Sequence, residues 1–286
     1  MATAEIPTDP WPDAPKPNLY KGVAYETYSR WNAANHSLLR HFARSAAHAE
    51  YALTHPDEGS EAKQRGHTTH VAVLEPDRFV AQYVAAPRID KRTNAGKAEW
   101  REFQEVNAGK VIVPEDEYRL AGAMSASVWA HPTAAELLRG GLNEVSLAWR
   151  DADTGVPCKA RLDHLGTAGE WSAIVDLKTS RNAARRSFER DVHAFAYHQQ
   201  AALYLDGADA LAPRPRKFIF VVVESDPPHC VAVYELDEEA IALGRDDYKK
   251  HLRMYSEAAL SGVWCGYAEG MDYVSLPAWA FRAVEG

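Results

Sequence analysis

The spacing of apolar positions divides the chain in two. Over residues 25–53 they recur at helical intervals, with Trp31, Leu38, Leu39, Phe42, Ala46 and Ala49 on one stripe and Asn35 or Ser37 as the cap. A turn is expected at residues 55–59. Residues 61–74 read as a second helix, closed by Glu75-Pro76, with His70 one turn after Gly66, a glycine that would allow another backbone close by. Residues 87–110 read as a mobile basic loop leading into a short helix. Residues 115–138 form a further helical stretch with Ala121, Met124, Val128 and Leu137 inward. After Gly140-Gly141 the period shortens to two. Residues 143–149 alternate as a strand, 151–155 (Asp-Ala-Asp-Thr-Gly) make a hairpin turn, and 156–165 return. A second turn at 166–170 leads into a third strand, 171–178. The pattern then becomes helical over 182–205. A continuous apolar strand at 217–223 is expected at a buried sheet centre, with 230–235 beside it and a last amphipathic helix over 237–260.

Composition narrows the class. The chain has 286 residues, 46% hydrophobic and 25% charged, as in ordinary globular proteins. Residues 1–18 carry Pro7, Pro10, Pro12, Pro15 and Pro17 and read as a flexible arm, leaving residues 19–286 as one domain. No apolar run approaches the roughly 20 residues of a membrane helix, and the N-terminus lacks the features of a signal peptide. A cytoplasmic location without membrane contact is the expectation. The three cysteines, Cys158, Cys230 and Cys265, are far apart and form no CxxC, which excludes a four-cysteine cluster within one chain and disfavours structural zinc. The formal net charge of −8 argues against coating nucleic acid by bulk charge, but leaves room for a local basic channel.

The candidate chemistry lies in the strands. In Asp176-Leu-Lys178 the two charged residues share one face of a strand, with Val175 and Leu177 on the other. Alone, this is a strand-end ion pair. Asp163 on the preceding strand and Glu144 on the one before can converge on it. Carboxylates plus a lysine suit metal-dependent phosphodiester hydrolysis: the carboxylates hold the cation, and the ammonium orients water and offsets charge on the phosphate. Arg181, Arg185, Arg186 and Arg190 follow directly, as a phosphate-contacting wall or a solvated helix face. Lys91, Arg92 and Lys97 are a second candidate wall.

Asp163 and Asp176-Leu177-Lys178 resemble the PD-(D/E)xK nuclease signature, with Arg161-Leu162-Asp163 in place of the first Pro-Asp. Gln200-x-x-x-Tyr204 resembles the QxxxY motif of the phage lambda exonuclease and RecB-type branch. Gly66-His67-Thr68-Thr69-His70 with Leu74-Glu75-Pro76 resembles the helix that brings a metal-binding histidine in RecE- and RecB-type nucleases, and Glu144 to Trp149 the strand before the first aspartate of RecE-like domains. With Trp264-Cys-Gly266-Tyr267 and Pro277-Ala-Trp279, the likeness spans residues 20–280, and the nearest match is the exonuclease VIII (RecE) C-terminal family.

The resemblance implies an α/β restriction-endonuclease-like core, a mixed central sheet with flanking helices. It implies a Mg²⁺-dependent 5′→3′ exonuclease on double-stranded DNA ends, with Mn²⁺ able to substitute, leaving 3′ single strands for an annealing partner and assembling as a homo-oligomeric ring. Asp163, Asp176 and the Leu177 carbonyl would hold one ion. His70 with Asp163 would hold a second, Glu144 would assist, Lys178 would position the nucleophile, and Gln200 and Tyr204 would brace the site or the DNA backbone. Two alternatives stay open. One is an endonuclease or an end-processing nuclease of the CRISPR-associated kind, whose usual four-cysteine cluster is missing here. The other is a catalytically silent DNA-binding recombination scaffold.

Overall fold

The computed structural model describes residues 11, 13–55 and 61–276. A short strand β1 (Asn18–Tyr20) is followed by α1 (Tyr25–Ser29), α2 (His36–Leu39), a 3₁₀ turn (Arg40–Ala43) and α3 (Ala46–Thr54). The single helical pattern over residues 25–53 is therefore broken. Asn35 caps α2 by accepting from the Leu38 N–H, and Ser45 caps α3 in the same way. Helices α4 (Glu61–Leu74) and α5 (Pro76–Gln82) lead into β2 (Tyr83–Ala85). Then come α6 (Asn94–Val106), β3 (Val111–Val113), α7 (Glu115–Ala130) and α8 (Pro132–Leu137). The stretch expected as one helix over 115–138 divides at His131-Pro132, because a proline inside a helix lacks the N–H and crowds the preceding turn.

The meander follows as expected: β4 (Leu142–Arg150), β5 (Pro157–Ala168) and β6 (Trp171–Ser180), each antiparallel to the last. The expected long helix after it is two, α9 (Arg185–Ala194) and α10 (Tyr197–Leu211), separated where Ala196 takes a left-handed φ of 55°. Strands β7 (Arg216–Glu224) and β8 (Val231–Glu235) and helix α11 (Glu238–Ser261) complete the chain. The sheet order is β1-β4-β5-β6-β7-β8, with β6 and β7 parallel and the other pairs antiparallel.

Both faces of this mixed sheet are covered. Alternation on β6 sends Ala173, Val175 and Leu177 towards α4, α7 and α8, where Val73, Leu74, Met124, Val128 and Leu137 meet them. Ile174 faces the other way, with Leu162, Phe218 and Phe220, onto α10 and α11 through Leu203, Tyr248 and Leu252. Strand β7 contributes to both layers, which explains its unbroken apolar run. The arm expected to be flexible is in part anchored: Trp11 is buried beside Tyr255 with ring centroids 6.3 Å apart, and Asn18 pairs with Ala148. Residues 1–10 and 12 of the arm, residues 56–59 of the expected turn, and Pro277 and Trp279 lie outside the described residues.

Candidate metal centre and nuclease site

Strand β5 carries Asp163 into a cleft of 570 Å³ lined also by His67, His70, Glu75, Arg78, Glu144 and Arg161. One ligand atom each from His70, Glu144 and Asp163 can be chosen so that all three lie within 4.8 Å of one another, the one such group found among the described residues. The convergence has a backbone cause. Glu144 adopts a φ of 52°, a left-handed conformation that costs a non-glycine residue about 1–3 kcal/mol and persists only where surroundings enforce it. At that level β5 changes phase: Leu162 and Leu165, three positions apart, pack against the same core layer, where strict alternation would separate them. The kink turns the carboxylates of neighbouring strands into one space.

The candidate residues form two linked subsets. In the first, His70 Nδ1 stands 3.5 Å from Asp163 Oδ1, while Asp163 Oδ2 accepts the Leu177 N–H at 2.8 Å. In the second, Lys178 Nζ lies 2.5 Å from Asp176 Oδ2 and donates to Gln200 Oε1 at 3.2 Å. Gln200 Nε2 donates to Asp176 Oδ1 at 2.8 Å, and Tyr204 hydrogen-bonds Gln200 in turn. Asp176, expected as a ligand, is thus 2% exposed and engaged by Lys178 and Gln200, outside the three-residue group. Leu177 reaches the site through its N–H. Lys178 also sits 4.4 Å from the centre of the Tyr197 ring.

Protonation follows from these contacts. Burial works against a charge on His70, but the Asp163 carboxylate, by charge and hydrogen bond, and Glu144 hold its pKa up at about 9. Burial would raise Asp163, yet the His70 and Lys178 charges and the Leu177 N–H keep it below the usual carboxylate range. Burial pushes Asp176 up to about 6, against Lys178 and with help from Asp163. Burial and the Asp163 charge raise Glu144, opposed by Arg161 and His70. Lys178 is desolvated, but Asp176 leads the groups that hold it above its ordinary value.

The His70–Asp163 pair makes the metal-free protein pH-sensitive. The pKa of His70 rises from 6.5 to about 9 on folding. Its stabilisation is therefore complete below pH 6.5 and lost as pH climbs through 9, an effect of at most about 3 kcal/mol. Asp176, shifted between 3.8 and about 6, titrates below this window. In EDTA, the melting-temperature advantage of wild type over His70→Gln should shrink between pH 6 and 9.5; a pH-independent difference would contradict the ion pair.

The remaining candidates are more peripheral. Arg181, just after β6, and Arg185 and Arg186, at the start of α9, are exposed, with Arg185 paired to Glu189. The expected basic loop, with Arg88, Lys91 and Arg92, leads into the 13-residue helix α6, which carries Lys97. Arg92 pairs with Asp90, Arg88 with Glu115, and Lys91 lies over the Trp100 ring. At Gly66 an added Cβ would meet nothing nearer than Thr179 Oγ1 at 3.9 Å, so no backbone comes close there. Arg161 and Tyr197 belong to the site but carried no assigned role from sequence. A larger hollow of 890 Å³, at the far end of β5 and β6 near Trp171 and Arg216, contains none of the candidate residues.

A family model for a PDDEXK-like domain of unknown function (DUF3799) matches residues 35–277. The chain belongs to this family. Its mixed sheet flanked by helices is that of PDDEXK-like nucleases, and the assignment supports a hydrolytic nuclease. A crystal structure from Eubacterium rectale, titled as an exonuclease candidate, superimposes with a TM-score of 0.55 at 12% identity, over 93% of this chain and 100% of that one. At that identity it shows the shared fold. Two further solved proteins, SSO0001 (16% identity, TM-score 0.27, 68% of this chain and 88% of that one) and VC1899 from Vibrio cholerae (13%, 0.23, 79% and 58%), carry no argument. No functionally curated protein matches the chain. PDDEXK nucleases typically use divalent metals, and the His70–Glu144–Asp163 group fits one: two carboxylates and an imidazole, partly exposed at an open cleft. Among the described residues, no helix is long and apolar enough to cross a membrane.

Proposed function

We propose that this protein is a divalent-metal-dependent deoxyribonuclease, acting as a 5′→3′ exonuclease on double-stranded DNA ends. The observation that carries the nuclease reading is the convergence of His70, Glu144 and Asp163 beside the Asp176–Lys178 pair. The exonuclease polarity rests on the RecE-like order of motifs. Mg²⁺, or Mn²⁺ in its place, would be held by Asp163, Glu144 and His70, with Asp176 close behind. A cation there supplies neutralising charge to the phosphate and a water of lowered pKa.

The protein's own groups do the rest. The Leu177 N–H fixes one Asp163 oxygen and leaves the other facing the cleft. Lys178, kept charged by Asp176, orients the attacking water and offsets charge growing on the phosphate. Gln200 holds both Lys178 and Asp176 in register, and Tyr204 holds Gln200. The exposed Arg181, Arg185 and Arg186 would contact the DNA backbone. The product, a duplex with a 3′ single strand, would suit a single-strand annealing partner, and a closed homo-oligomer would favour processive digestion.

The test uses linear and closed circular duplexes of the same sequence. Mg²⁺-dependent loss of the linear form alone, stopped by EDTA and restored by Mg²⁺ or Mn²⁺, is the expected result. Release of label first from the 5′ end sets the polarity. Cutting of the circle would make it an endonuclease, and cleavage undiminished in EDTA would refute the metal site.

A further inference from the structure

The cleft holds a cation of the protein's own among its carboxylates. Arg161, on β5 two residues before Asp163, donates from Nε to Glu144 Oε2 at 2.6 Å. Its Nη1 donates to the Val23 carbonyl at 2.8 Å and reaches Ser146 Oγ at 3.4 Å. The guanidinium is also 5.9 Å from the centre of the Tyr28 ring. Its side chain is 16% exposed and that of Glu144 21%. Arg161 is thus fastened to β4 at Ser146 and to the segment before α1 at Val23, and it presents one donor to Glu144.

Glu144 needs such a hold. Its backbone is in the left-handed region, so the strand alone does not dictate where its carboxylate goes. It stands close enough to Asp163 to share a ligand group, and two carboxylates at that range repel. Arg161 offers the opposite charge at 2.6 Å, and a guanidinium with fixed donor directions sets the carboxylate's orientation as a point charge would not.

We propose that Arg161 is a positioning residue of the metal centre, which holds Glu144 as a ligand beside His70 and Asp163. This rests on the reading of that group as a metal site. Groups that orient metal ligands typically contribute 10–100-fold to metal affinity. Their removal acts through the ligand, so it vanishes when the ligand is already lost.

The experiment measures Mn²⁺ binding to the full chain by calorimetry, with DNA cleavage kinetics in parallel. Arg161→Gln should weaken Mn²⁺ binding by about 10-fold or more and lower kcat with KM for DNA unchanged. Arg161→Lys, which keeps the charge and loses the fixed donor directions, should fall between. In a Glu144→Gln background, Arg161→Gln should change Mn²⁺ affinity less than about twofold, because the two act as one unit. That double variant removes both charges together, so it reports even if Arg161→Gln alone fails to fold. Unchanged Mn²⁺ affinity with a raised KM would overturn the proposal and make Arg161 a direct phosphate contact. An equal loss in the Glu144→Gln background would also overturn it, as a general structural effect. If His70→Ala and Asp163→Asn leave Mn²⁺ binding of the wild-type chain intact, the metal-site reading itself fails, a result separate from either of these.

Discussion

Asp163→Asn is expected to lower DNA cleavage at least a thousandfold, the scale on which preorganised charge at a reacting centre acts. The substitution preserves shape. The asparagine oxygen can still accept the Leu177 N–H that Asp163 Oδ2 accepts at 2.8 Å. It then turns an NH₂ towards His70, where the carboxylate stood 3.5 Å from Nδ1. The group loses a ligand charge and gains a donor pointing into it. His70, no longer held at about 9 by that carboxylate, drops towards neutrality. Folding should survive, because the metal-free pair is worth at most about 3 kcal/mol. A labelled-duplex assay and circular dichroism on the same preparation check both halves. Cleavage within tenfold of wild type would mean that the site is misassigned. Lys178→Met should be as inactive, and its stability cost should be smaller at pH 5 than at pH 8. Asp176, already at about 6 with the lysine present, takes up a proton when the ammonium is gone.

The second large effect is structural and lies away from the cleft. Gly244 on α11 faces α10 so closely that an added Cβ would stand 2.1 Å from the His198 carbonyl oxygen, 2.4 Å from its carbon and 2.8 Å from the Gln199 nitrogen. All three are backbone atoms of a helix, so none can rotate aside. Gly244→Ala must push α11 off α10, at a cost of about 3 kcal/mol or more and a melting temperature lower by on the order of 10 °C. Because α10 carries Gln200, which bridges Asp176 and Lys178, cleavage should fall with it. Gly122, inside α7 with nothing within 4 Å of an added Cβ, is the control. Alanine there should be neutral or stabilising by up to about 1 kcal/mol. Equal melting temperatures for the two variants would show that the α10–α11 contact yields more easily than its geometry says.

What could be read in the sequence, and what could not, divides along local and non-local lines. The meander was legible because its turns carry glycines where the backbone needs them: Gly155 and Gly169 have φ of 68° and 61°. Alternation placed Asp176 and Lys178 on the face opposite Val175 and Leu177, as the core layers show. The break at Pro132 carried its own signal, which a reading by apolar spacing alone passes over. The break at Ala196 carried none. Alanine is the best helix former, and its left-handed conformation is imposed by packing. Glu144 is the same case at the site itself. Nothing local marks a glutamate for positive φ, so the kink that gathers the ligands is a tertiary effect. His70 could be assigned only through resemblance, since its partner lies on another element of the fold. Arg161 was visible as the residue preceding Leu162-Asp163, but its bond to Glu144 required the strand register Ser146↔Arg161.

One feature of the cleft's rim limits how the site can move. Lys159, almost fully buried on β5, donates from Nζ to the carbonyls of Tyr28, Ser29 and Trp31 at 3.1, 2.9 and 2.8 Å. These carbonyls lie in the last turn of α1 and just beyond it, so the lysine ties the end of that helix to the strand bearing Asp163. Burial lowers its pKa to about 8, and every donor it offers is spent. Val23, Ala24 and Tyr25, which border the cleft on this side, therefore travel with its floor as one rigid piece. The other side of the cleft, from α4 and α5, is tied separately: Arg78 donates to Gln82 and Glu75, and the Ala72 and Val73 carbonyls accept from Ser125 and Trp129 of α7.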